Sequence, residues 1–304
     1  MHMGHRQGRV WTAGVLAGLL AITACSLSSA ATSAATSPPA RTGPATPART
    51  AHAATATAAA VPAVPPRVIV AQVRTADGSV VTVAIFLGPV RYVLHSGSVD
   101  PGSIAAGLRA GPVVGGSERR HLLAAFNGGF QLNNHVGGYE QEGRVISPLE
   151  RGVISLVIDR SGQGRIGIWG FGLPAPGEAV YSVRQNLQTL VYRSRPTAAA
   201  GNWHLWGPTL GGGEYVARSA VGEDAAGDLM FAGSMSTTPA DLATALIRSG
   251  ARIAMEMDIN PEWVQLDVAS RPGGPLTAAV PGQHRPADQY LVGWTRDFFT
   301  VVAP

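Results

Sequence analysis

The first 76 residues contain no Asp or Glu, and residues 26–66 within them are nearly all Ala, Thr, Pro and Ser. A tract so poor in large apolar side chains cannot bury enough surface to offset the entropy of ordering it. Folding therefore has to begin near Arg67. The expectation is a disordered stalk over 26–66 followed by one domain over 67–304. Hydrophobic residues make up 45% of the chain, enough for a substantial core. The sequence pI near 9.7 suggests a polyanion partner, but the charge is in the wrong place for one. Arg6, Arg9, Arg41 and Arg49 precede residue 67, and the other basic residues balance the 19 acids. The domain is formally neutral and lacks the basic stripe that nucleic-acid binding needs. Every basic residue is Arg, so lysine nucleophiles and phosphate-loop lysines are excluded.

Residues 1–25 read as an export signal. Arg6 and Arg9 give a positive start, and the apolar run Val10–Ile22 is shorter than a bilayer span of ~20 residues. The run ends in Ile22-Thr23-Ala24-Cys25, which resembles a bacterial lipoprotein lipobox. In such a box the Cys is acylated and becomes the first mature residue. Cys25 is the only Cys in the chain, so the domain has no internal disulfide. These features predict an exported protein held by lipid on the outer face of a bacterial cell membrane, its only membrane contact. The alternative is an ordinary cleaved signal and secretion.

Past Arg67, β-branched runs at Val68–Val73 and Val80–Leu87 flank Asp77-Gly78, a hairpin signal. Similar pairs flank turns at 159–164 and 222–228, and His121–Phe126 is an apolar run ending at Asn127-Gly128-Gly129. A short helix is predicted over Ile104–Arg109. The clearest helix is Pro239–Ser249, with Thr238 as N-cap, Pro239 at N1, Asp241 at N3 and Gly250 just past its end. Leu242, Ala245 and Leu246 form its apolar stripe. Many strands and few helices predict an α+β domain that is mainly antiparallel sheet with a few packed helices.

Chemistry concentrates in Ala251–Trp263, ARIAMEMDINPEW. As a strand over 252–258, it sends Ile253, Met255 and Met257 into a core and turns Glu256, Asp258 and Asn260 to the other face. Pro261 ends it. Two carboxylates ~6.5–7 Å apart suit a shared substrate or cation, and the same pattern suits a solvated sheet face. Carboxylate and amide oxygens at 256, 258 and 260 would suit a hard cation such as Ca²⁺. Asn127-Gly128-Gly129 reads either as a tight turn or as a left-handed segment approached closely by a ligand. His95, His121, His135, His204 and His284 are scattered without metal-ligand spacing. No serine-hydrolase elbow, zinc-protease helix or phosphate loop is present.

Four blocks in order give the chain a resemblance to the phosphodiester glycosidase family, over about residues 122–298. They are Ala124–Phe130 (AAFNGGF), Gly152–Gly170, Ala217–Gly233 and Thr237–Asp258. The resemblance implies hydrolysis between an anomeric sugar carbon and a phosphate. It implies Asp258 as the principal carboxylate, with Glu256 assisting or holding a cation, and Arg218 binding phosphate. It also implies Asn127 hydrogen-bonding the substrate beside Gly128 and Gly129. Asn260 and Trp263 would line the substrate site, with Trp263 stacking on a sugar or lying in the core. Glu140, Glu142 and Glu262 stand in reserve. The family commonly continues its last strand as Asp-Gly-Gly-Gly-Ser, whereas here Asp258 leads into Ile259-Asn260-Pro261-Glu262-Trp263. That departure leaves a non-catalytic glycan-binding module on the same fold as the alternative. The expected partner is a carbohydrate or sugar phosphate, not a nucleic acid.

Overall fold

The computed structural model describes residues 67–206 and 212–304. The export signal, Cys25 and the stalk lie outside them. Among the described residues no helix is long and apolar enough to cross a membrane.

Three antiparallel sheets make up the domain, with three α-helices among the described residues. The seven-stranded sheet runs, in spatial order, through Val68–Arg74, Val80–Phe86, Leu229–Thr237, Val216–Glu223, Ile253–Glu256, Thr189–Tyr192 and Arg195–Pro196. A five-stranded sheet is ordered Leu276–Ala278, Leu266–Ala269, Leu122–Asn127, Phe298–Val302, Arg91–His95. The third is ordered Arg144–Ser147, Tyr139–Gln141, Val180–Gln185, Ile154–Asp159, Gly164–Ile168. The first hairpin forms where Asp77-Gly78 predicts it: Gly78 takes φ 95°, and the strands pair in unbroken register from Val68↔Phe86 to Arg74↔Val80.

The sheets meet around a ring of phenylalanines. Phe126 lies 5.7 Å from Phe86, 5.4 Å from Phe299 and 5.3 Å from Phe231, centroid to centroid. Leu156 and Ile158 of the third sheet join the same core. The helix Pro239–Arg248 covers the opposite face of the seven-stranded sheet. Its Leu242, Ala245 and Leu246 are buried among Val81, Val83, Met230 and Ala232. Thr238 accepts the Asp241 amide at 3.1 Å, as the cap pattern predicts. The central strands are thus covered on both sides, so Val80–Phe86 reads as a nearly continuous apolar run.

Two local expectations change. The helix expected at 104–109 is a single 3-10 turn, Gly102–Ala105, held between Pro101 and Gly107. The expected strand 252–258 is regular only over Ile253–Glu256. Beyond Glu256, Met257 donates to Ser219 O at 2.8 Å and Ser219 donates to Asp258 O at 2.9 Å. The chain then turns away through the Pro261 loop.

Candidate active site

Met255 and Met257 enter the main core, as the alternation predicts, while Ala254 packs under the helix. The face carrying Glu256 is not solvated. Glu256 is fully buried beside Arg218, whose Nη1 approaches its Oε1 at 3.5 Å. Burial presses the Glu256 carboxyl well upward and the Arg218 guanidinium downward, each opposed by the other's charge. Arg218 also donates to Thr237 O and Glu214 O, both at 3.1 Å. Its guanidinium is thus committed inside the domain, and neither Arg218 nor Glu256 lines the pocket that receives Asp258.

That pocket has a volume of about 350 Å³. Asp258, Ile259, Asn260, Trp263 and Arg296 line it together with Phe130, Gln131, Asn134, Val136 and Leu187. Asp258 is 3% exposed. Its Oδ1 accepts the Asn260 amide at 2.8 Å, and its Oδ2 lies 3.6 Å from Arg296 Nη2. Burial drives the Asp258 carboxyl up to about 7, against the pull of Arg296 and of two backbone amides. It is the one carboxylate lining this pocket.

Asn127 lies behind the pocket wall. It donates to Ser219 Oγ at 2.8 Å, and that hydroxyl in turn accepts the Asp258 amide at 3.0 Å. Asn127 therefore fixes the backbone that presents Asp258. Gly128 and Gly129 differ from their sequence reading, since neither adopts positive φ. Their requirement is steric. A Cβ on Gly128 would sit 2.1 Å from Asp297 Oδ2, and one on Gly129 would sit 2.7 Å from Asn186 Oδ1. It is protein side chains that approach this backbone closely.

Sequence reasoning missed the residues that complete the site. Arg296 donates to Gly129 O at 2.9 Å, and its Nε lies 3.5 Å from Asp100 without a hydrogen-bond partner. The neighbouring Asp297 turns the other way and pairs with the fully buried Arg184 at 2.8 Å. Asn186 carries the Phe130 amide on its Oδ1 and donates to Glu256 O and Met257 O, at 2.7 and 2.8 Å. This amide ties Phe130 of the pocket lining to the strand that delivers Asp258. A signal existed in Trp294-Thr295-Arg296-Asp297, an opposite-charge pair beside a Trp at the head of an apolar strand.

Trp263 is half-buried on the pocket wall, edge-to-face with Trp294 at 5.6 Å, and Arg296 lies 5.3 Å over its ring. Asn260 lines the pocket, but its Oδ1 accepts the Glu262 amide at 2.9 Å. With Glu256 turned to Arg218, the oxygens at 256, 258 and 260 do not converge. Among the described residues no group of three or more His, Cys, Asp or Glu side chains is placed to hold a metal ion. Of the reserve acids, Glu142 caps the Arg109 and Ala110 amides, and Glu262 pairs with His284 and Arg285 at the surface. Glu140 is half-buried away from the pocket. A second cleft of about 490 Å³, near Arg91 and Tyr181, has its Glu118 and Glu142 occupied by His95 and Arg109.

No known family model matches the chain, and no curated protein matches it. Among solved structures it is similar to the zebrafish N-acetylglucosamine-1-phosphodiester alpha-N-acetylglucosaminidase catalytic domain, auto-inhibited by its pro-peptide. That match has a TM-score of 0.49 and 15% identity, over 78% of this chain and 82% of that one. It is also similar to a hypothetical protein from Synechocystis, with a TM-score of 0.45 and 13% identity, over 77% of this chain and 61% of that one. Both are distant structural resemblances.

Proposed function

We propose that this protein is an extracytoplasmic, lipid-anchored hydrolase that cleaves a glycosyl phosphodiester in a cell-envelope glycan. One observation carries the reading: Asp258 and Arg296 share a small pocket, 3.6 Å apart, with the carboxyl poised at about 7. The order of the four family-like blocks and the export-signal pattern support it.

Cleaving an ordinary glycoside requires two carboxyl groups, one of them protonating a basic leaving oxygen. Only Asp258 lines this pocket. A phosphate monoester departs with little need of a proton, but it does need its developing charge balanced. One carboxylate and one guanidinium match that requirement. In the reaction, ionised Asp258 takes a proton from water as the water oxygen bonds to the anomeric carbon. The bond from that carbon to the phosphate oxygen breaks with its electron pair leaving on the phosphate, which Arg296 stabilises. Asn260, Gln131 and Asn134 supply amides for sugar hydroxyls, and Trp263 supplies an apolar wall.

The test incubates the full-length protein with methyl esters of sugar-1-phosphates and measures free sugar. Turnover that rises as pH passes through about 7, and that falls by about 10²–10⁴ in Asp258→Asn, is the expected result. Undiminished turnover in that variant sinks the assignment. Saturable binding without release of sugar supports the glycan-binding alternative, which the half-buried Trp263 on the pocket wall favours.

A further inference from the structure

Away from the pocket, the strand Val68–Arg74 forms one edge of the seven-stranded sheet, and no described strand lies beyond it. Its sequence, VIVAQVR, has no Pro and no charge before Arg74. Ile69 and Val70 are 43% and 42% exposed although they point to opposite faces. Leu87 N donates to Arg67 O, so Arg67, Ile69, Ala71 and Val73 direct their backbone groups at the neighbouring strand. Val68, Val70 and Gln72 therefore turn N–H and C=O outward. Among the described residues only Arg74 is capped, its carbonyl accepting Arg248 Nη1 at 2.9 Å.

The other edges are protected. The far edge of the same sheet is the two-residue Arg195–Pro196. Leu276–Ala278 has three residues, and Arg144–Ser147 opens on a charge. On Arg91–His95 the outward Tyr92 amide is taken by Gly162 O. On Gly164–Ile168 the Ile166 amide is taken by the Glu223 carboxylate. Soluble proteins shorten, charge or cover their edges because a long bare one pairs with another chain. Val68–Arg74 carries a charge only at its last residue, and among the described residues nothing covers the outward groups of Val68, Val70 and Gln72.

We infer that this edge pairs with a second copy of the same chain, antiparallel across a two-fold axis at Val70. The strand is complementary to itself in that register. Val70 faces Val70 of the partner subunit and exchanges two hydrogen bonds with it, and Val68 and Gln72 pair reciprocally on either side. No like charges meet between 68 and 72. Arg74 extends beyond the partner's Val68, and its carbonyl is already taken by Arg248 Nη1, so the ladder stops there. Pairing continues the seven-stranded sheet into a second copy and covers Ile69 and Ala71 on one face and Val70 on the other.

The test follows the mass of the full-length protein in solution over a dilution series, in a Cys25→Ser background so that introduced thiols are the only ones. The expected result is a concentration-dependent dimer. Val70→Pro, which removes one outward amide and no internal bond, and Val70→Lys, which sets two charges against each other on the axis, both give monomers with unchanged far-ultraviolet circular dichroism. Val70→Cys forms a covalent dimer on mild oxidation, whereas Ala71→Cys, which faces Ile69 in this register, does not. A wild-type monomer overturns the inference, whether the edge is bare or covered by the chain's own residues 26–66. A dimer that persists in both the Pro and the Lys variants, or larger open-ended assemblies, also overturns it.

Discussion

Asp258 and Arg296 are chemically linked beyond their proximity. Arg296 pulls the Asp258 carboxyl downward against the larger upward push of burial. Removing that cation with Arg296→Met leaves burial opposed only by the two backbone amides and raises the Asp258 pKa. The base is then ionised only at higher pH, so the rising limb of kcat/KM moves to higher pH. KM for a phosphodiester increases as well, because the leaving phosphate loses its counter-charge. A purely structural Arg296 would lower activity without moving the pH profile, and rate measurements from pH 5 to 9 separate the two. Gly128 carries a different kind of constraint. Gly128→Ala places a methyl group 2.1 Å from Asp297 Oδ2 and 2.6 Å from Asp297 O. Neither atom can retreat freely, because Arg184 holds the side chain and Gly128 N donates to the backbone oxygen at 2.9 Å. The expected cost is about 3 kcal/mol in chemical denaturation, at the upper end for overpacking. A loss within experimental error would show that the segment shifts easily.

At the scale of elements, what could be read from the sequence was what neighbours along the chain decide. The helix after Thr238 and the hairpin at Asp77-Gly78 are specified within a dozen residues, and both form where expected. Thr238→Ala removes the acceptor of the Asp241 amide and leaves an orphan donor at the helix start. Its cost is about 1 kcal/mol, measured by thermal or urea unfolding, with the pocket unchanged. Asn186 is the contrasting case. It sits in an unremarkable turn between strands, yet it joins the Phe130 amide to Glu256 O and Met257 O. Asn186→Ala strands three buried backbone groups on two elements that the sequence places far apart. It therefore destabilises more than Thr238→Ala and also lowers turnover. Equal stability losses in the two variants, with turnover intact in both, would remove Asn186 from the site's support. Arg184, Asn186, Arg296 and Asp297 escaped the sequence reading for this reason. Arg184 lies near the end of a strand and the other three in the connections beside strands, and the partner of each is fixed only when the sheets pack. Arg218 shows the reverse: it stands in a family-like block, but its guanidinium is spent on Glu256, Thr237 and Glu214.

For the whole molecule, the consequence of burying acids in a three-sheet core is an unusual dependence of stability on pH. Burial raises the carboxyls of Asp100, Glu140, Glu223 and Glu256, lifts Asp258 to about 7 and lifts Asp267 to about 8. A carboxyl whose folded pKa exceeds its unfolded value binds its proton more tightly in the native state. It contributes stability that is complete below the unfolded value near 4 and is lost as pH rises to the folded value. Glu118, Asp159 and Glu262 are shifted downward, so their contribution is lost only in acid, as pH falls through their folded values. Between pH 5 and 8.5 that second group is ionised in both states and adds a constant. The raised group gives a downward slope, and Tm should fall across this window. Asp258→Asn should flatten the portion between pH 5 and 7 and stabilise the protein above pH 7 by on the order of 2–4 kcal/mol. The portion approaching pH 8, which belongs to Asp267, should remain. In the proposed reaction the same substitution that gains stability costs turnover, because it removes the carboxyl assigned as the base. A Tm that rises from pH 5 to 8.5 would mean that Asp258 and Asp267 are solvated, and the pocket would then lack its poised base.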